Sequence, residues 1–223
     1  MKKNITSDKS CKNAGNAMIY ILIALALFGF LTLTLTKQNN QADNQDLSEE
    51  VAKVYANELI EYISSTQQAL DMMLSTGAEI GDLDFVKPTE AGFNTAPHIY
   101  KLFHPQGGGL NYQQKFNEAI QNSPAAVWDI NNNINVQWTP TTANDVIITA
   151  YFIKKEVCEE INRKITGSTA IPITANPHAD YFLSTGTTDF DTTECAACNG
   201  YATLCVENDA NDNYSFYSII AAQ

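Results

Sequence analysis

The chain has 223 residues, with 25 acidic against 13 basic side chains, and its apolar fraction of 44% is that of an ordinary folded domain. Residues 1–15 hold Lys2, Lys3, Lys9 and Lys12 against Asp8 alone, so against a total of −12 this segment is net +3 and the remainder net −15. So acidic a body repels nucleic-acid phosphate, and no basic stripe interleaved with aromatics occurs, which argues against a nucleic-acid partner.

Ala17 to Thr36 reads AMIYILIALALFGFLTLTLT and carries no charge. About 20 apolar residues match the hydrocarbon core of a bilayer, so the expectation is a membrane-crossing helix. Four lysines precede it and Lys37 alone follows closely, which predicts a cytoplasmic N-terminus and an exported C-terminal domain. A cleaved secretory signal is disfavoured, because the run is too long and ends in TLTLTKQNN without a small-x-small site. A plain signal anchor and a prepilin leader remain.

The junction Lys12-Asn13-Ala14-Gly15-Asn16-Ala17-Met18 carries a resemblance. With the apolar helix after it, it resembles the type IV pilin and type II secretion pseudopilin family over roughly residues 1–75. The family has a short basic leader ending in Gly, cut before the helix. The resemblance implies processing between Gly15 and Asn16 by a prepilin peptidase, and lateral assembly with other pilin-like subunits, as a homo- or hetero-oligomer at the inner membrane. The fifth mature position is Tyr20, where most of the family has Glu, and this leans toward a minor subunit.

Residues 37–45, KQNNQADNQ, are polar and aperiodic and read as a stalk. From Asp46 to about Ser75 apolar residues recur at helical spacing, through Leu47, Val51, Val54, Tyr55, Leu59, Ile60, Tyr62, Ile63, Leu70, Met73 and Leu74. Asp46 with Glu49 resembles a capping box, and Gly77 is a helix stop. Pro105 to Gly109 forms a loop; no Gly-Lys-Ser/Thr follows the glycines, so a phosphate cradle is not expected.

Strands are predicted over 126–130 and 134–138, with Asn131-Asn132-Asn133 as the hairpin turn between them. Further strands are predicted over 145–153 and 214–222, with a short helix from Lys154 to about Ile165. The fold class expected is α+β: an N-terminal transmembrane helix, an amphipathic helix, then a small, mainly antiparallel β-sheet head with a short extra helix. The chain divides into a basic leader (1–15), a transmembrane helix (16–36), a polar stalk (37–45) and an extracytoplasmic head (46–223). The placement implied is a single-pass protein of the bacterial inner membrane, with the head periplasmic or extracellular.

Cys158, Cys195, Cys198 and Cys205 fall in the head, where an oxidising compartment favours two disulfides with three possible pairings. We favour Cys158 with Cys205, which closes a long loop resembling the C-terminal disulfide loop of many pilins, and Cys195 with Cys198. A redox role for Cys195-Ala196-Ala197-Cys198 would want a helix N-terminus in a βαβ unit, and zinc would want a second C-x-x-C. Glu207, Asp209, Asn211 and Asp212 gather oxygen ligands that calcium could use, although the run lacks the Gly and distal Glu of an EF-hand. Otherwise neither metal nor cofactor is expected. His98, His104 and His178 have no partner at ligand spacing, and no nucleophile motif occurs, so an enzyme is not expected. The function expected is a pilin-like or pseudopilin-like structural subunit of a cell-envelope filament or secretion apparatus. The alternative is an unprocessed, envelope-anchored binding protein that does not polymerise.

Overall fold

The computed structural model describes residues 20–21, 23–27, 47–113, 116–122, 126–208 and 213–222. The chain forms two compact units, residues 1–46 and 47–223. In the first unit residues 20–21 and 23–27 are helical. The expected transmembrane helix over 16–36 is corrected here: among the described residues no helix is long and apolar enough to cross a membrane. Gly15, Asn16 and the stalk 37–45 lie outside the described residues.

The second unit opens with helix α1, Glu49–Ser75. Its buried face is made by Ala52, Ala56, Leu59, Tyr62, Ile63, Thr66, Leu70 and Met73. Leu59, Leu70 and Met73 are at most 2% exposed, each contributing on the order of 2 kcal/mol of apolar burial. Leu59, Tyr62, Ile63, Leu70 and Met73 belong to the expected stripe, and Ala52, Ala56 and Thr66 join them. Ala52 and Ala56 are buried, while Val51 and Val54 are exposed. Thr66 is tolerated inside because its hydroxyl donates to the Tyr62 carbonyl at 2.8 Å.

The N-cap is Ser48, and its side chain makes no capping bond. Glu49 pairs instead with Lys53, one turn on, and with Arg163. The other end closes as the sequence suggests. Gly77 takes φ +103°, its N–H donates to the Leu74 carbonyl, and the Ala78 N–H donates to that of Met73.

Five strands form one sheet: β1 (Val127–Ile134), β2 (Asp145–Ile153), β3 (Ile173–Thr174), β4 (Thr203–Asn208) and β5 (Asn213–Ala221), in the order β1-β2-β5-β4-β3. All pairings are antiparallel except the short one between β3 and β4. Helix α2, Lys155–Thr166, packs beside α1 and against β4 and β5. Alternation along β2 and β5 sorts side chains between two cores. Ile148, Ala150 and Phe216 face the helices, while Ile147 and Tyr217 face the other side. There the short helix α3 (Ala179–Phe182), Phe190 and Cys195–Cys198 form a second covering layer.

The predicted hairpin at Asn131–Asn133 is not a turn. These residues continue β1, with a register shift between Asn131 and Ile134. The Asn131 side chain is buried and donates to the carbonyls of Tyr181 at 2.8 Å and Gly186 at 3.2 Å. A long-range partner thus holds extended a triplet that would turn on local preference. Val136, assigned above to a second strand, makes only an isolated bridge to Phe190.

Candidate functional site

A cleft of about 340 Å³ lies between α1, the segment 83–87 and β1. Local chemistry fixes each wall. The Asp84 side chain accepts the Val86 N–H at 2.9 Å, turning the chain, while backbone bonds join Asp84 to Tyr100 and Leu102. The next turn is closed twice: the Glu90 N–H donates to the Lys87 carbonyl, and the Lys87 N–H donates to the Glu90 carboxylate at 2.8 Å. Lys87 is thereby aimed across the cleft at β1.

Its ammonium meets the Asp129 carboxylate at 2.8 Å, and the two side chains are 23% and 9% exposed. The second oxygen of Asp129 accepts the Ser184 N–H at 2.8 Å and the Ser184 hydroxyl at 2.9 Å. Burial works to lower the Lys87 pKa, but the adjoining Asp129 outweighs it, with help from Tyr112 and Glu90, and the net shift is upward. The same ammonium stands 5.9 Å from the centre of the Tyr112 ring.

The apolar walls are aromatic. Tyr62 of α1 lies against Trp128 of β1 with centroids 4.6 Å apart, and Phe103 meets Tyr112 edge-on at 5.0 Å. Trp128 donates its indole N–H to the Gln113 side chain at 3.3 Å. Tyr62 donates to the Asn111 carbonyl at 3.3 Å, and its burial pushes the phenol up to about 12. Aromatic rings, one nearly buried carboxylate and one cation thus meet in the cleft.

Of the residues singled out from sequence, Cys158 is bonded to Cys205 and Cys195 to Cys198, consistent with the disulfides expected. The first ties α2 to β4; the second closes a short turn in the outer layer. Of the oxygen ligands suggested for calcium, Glu207 lies in β4 and its carboxylate accepts the Tyr214 hydroxyl at 3.3 Å. Asp209, Asn211 and Asp212 lie outside the described residues. Among the described residues no group of three or more His, Cys, Asp or Glu is placed to hold a metal.

The histidines have partners the sequence did not reveal. His98 and His104 stack at 4.2 Å with rings 9° apart. Burial, followed by the neighbouring His98 and Lys101, lowers the His104 pKa. His178 Nδ1 lies 2.8 Å from the Ser215 hydroxyl, but the two residues are 1% and 0% exposed, so no substrate reaches the pair.

The loop of Pro105 to Gly109 is packed rather than open. A Cβ on Gly107 would stand 2.2 Å from the Lys101 carbonyl oxygen, and one on Gly108 would stand 2.5 Å from that of Leu102. These glycines exist for close backbone approach.

Lys87 and Asp129 were missed from sequence, although Asp129 left a trace. A carboxylate inside the apolar strand AVWDI has to find a partner, because an unpaired buried charge is costly. Nothing local says that the partner lies 42 positions earlier. No protein-family model, no curated protein and no solved structure matches this chain.

Proposed function

We propose that the chain is a pilin-like structural subunit of a cell-envelope filament or secretion apparatus, working at the bacterial inner membrane with its head outside the cytoplasm. The observation that carries this reading is the two-sided character of α1. One face is buried on an antiparallel sheet. The opposite side presents Val54 at 63% and Met72 at 50% exposure. Eighteen residues separate them, about five helical turns, so they lie on one line and are free for lateral contact. The disulfides support an oxidising compartment, and the Gly15–Asn16 junction supports leader processing.

The test is the N-terminal sequence and intact mass of the protein from its native membrane. A chain starting at Asn16 is expected; a chain starting at Met1 overturns the reading. That second outcome would favour an envelope-anchored binding protein that does not polymerise, a role to which the aromatic cleft is suited.

A further inference from the structure

We propose that the cleft beside Asp129 is a binding site for an organic ammonium group, and that Lys87 is a built-in competitor for it. The inference concerns the head alone and stands whether or not the leader is cut at Gly15.

The protein itself shows what the site accepts. An alkylammonium, that of Lys87, already sits between a carboxylate at 2.8 Å and an aromatic ring at 5.9 Å. Carboxylate and ring face are the two groups that recognise organic cations in water-poor sites. Asp129 is on a strand and is braced by two hydrogen bonds from Ser184, so it stays in place when its cation changes. Lys87 is the partner nearer solvent: its side chain is 23% exposed against 9% for Asp129, and it borders a turn whose Pro88, Thr89 and Glu90 are exposed.

Charge selects the class of ligand. Asp84, Glu90 and Asp129 line the cleft against one cation, Lys87, so an anion finds no free positive partner there. A hard metal ion would want several oxygens, and both oxygens of Asp129 are engaged. The volume of about 340 Å³ lies within the range of small-molecule sites and leaves room beyond the lysine chain for the body of a ligand.

The experiment titrates n-butylammonium chloride into the full chain, followed by NMR shifts of Tyr112 and Trp128. Sodium chloride at equal ionic strength and n-butanol serve as controls. The unaltered protein should bind the ammonium weakly and saturably and ignore butanol. Lys87→Met, which removes the competitor and leaves an oxygen of Asp129 orphaned, should bind at least tenfold more tightly. The double variant Lys87→Met with Asp129→Asn should lose that gain; Lys87→Gln gives the same comparison if the Met variant does not fold. Saturable binding by the unaltered protein together with this order establishes the site. Rescue of Lys87→Met with no binding to the unaltered protein would reduce the pair to an internal salt bridge, and equal binding of butanol would reduce the cleft to an apolar hole; either result overturns the proposal.

Discussion

Lys101 is 4% exposed, and its ammonium donates to the backbone carbonyls of Gly92, Phe93 (at 3.1 Å) and Thr95. The lysine thereby organises a loop that has no regular structure of its own, and that loop sets Phe93 against His104 at a tilt, with ring centroids 5.2 Å apart. Replacing it by Met would leave the carbonyls of exposed Gly92 and Thr95 and half-buried Phe93 without their donor. Lys101→Met should cost about 2–4 kcal/mol, read as a lower urea midpoint. A cost below about 0.5 kcal/mol would show that water or a shifted loop replaces the ammonium. His178 makes a different prediction. Burial among Ser215, Tyr151 and Phe182 drives its pKa down to about 3, and the Glu207 backbone opposes this only in part. The unfolded chain takes the proton near the ordinary value of 6.5. This contribution is therefore whole above pH 6.5 and is lost on acidification toward about 3, at roughly 1.4 kcal/mol per pH unit. His178→Gln should flatten that slope in a denaturation series across pH.

Among the elements, the two disulfides differ in what they constrain. Cys158–Cys205 spans 47 positions and Cys195–Cys198 spans 3. Loop-closure entropy assigns about 4 kcal/mol to the first and about 1.5 kcal/mol to the second. Paired Cys→Ala variants should follow that order in thermal unfolding, and a reversed order would point to packing of Cys195 and Cys198 in the outer core rather than loop entropy. The same distinction between local and distant causes governs what the sequence reveals. Strand β2 is legible because a core on each face makes it a continuous run of apolar and β-branched residues, and β5 because it is rich in aromatic and β-branched residues. Helix α1 is legible in extent, and its buried face is legible where large side chains make it, at Leu59, Tyr62, Ile63, Leu70 and Met73. Ala52 and Ala56 are buried although alanine carries too little apolar surface to stand out in a hydropathy pattern. The outer layer over 176–198 has no period to read. It is held by distant bonds, such as that from the Asn131 side-chain N–H to the Tyr181 carbonyl at 2.8 Å and those from Thr192 to the Gln137 side chain. The Lys87–Asp129 pair escapes sequence reasoning for the same reason, as does the contact of His178 with Ser215.

At the scale of the whole molecule the net charge of −12 sets the terms on which these parts operate. Carboxylates crowd a body with few cations to answer them, so self-repulsion opposes the compact state and the field around it draws cations inward. Both effects pass through solvent and shrink as salt shortens the screening length from about 30 Å at 0.01 M to about 8 Å at 0.15 M. Added sodium chloride should therefore raise the urea midpoint while weakening the hold of Asp129 on an added alkylammonium. The two responses run in opposite directions, and that opposition separates long-range charge from contact. A generally salt-strengthened protein would show both rising together, and a ligand held by apolar contact alone would show no weakening. Acidification gives the matching check. As pH falls toward the isoelectric point near 4.5 the repulsion fades and favours folding, while protonation at His178 opposes it. In low salt the two trends cancel in part. In high salt, where repulsion is already screened, the acid-side loss should steepen, and His178→Gln should lower the slope by the same amount at both salt concentrations. If the slope is the same at both salt concentrations, self-repulsion is a minor cost to this fold and the acidity serves the cleft and the outer surface instead.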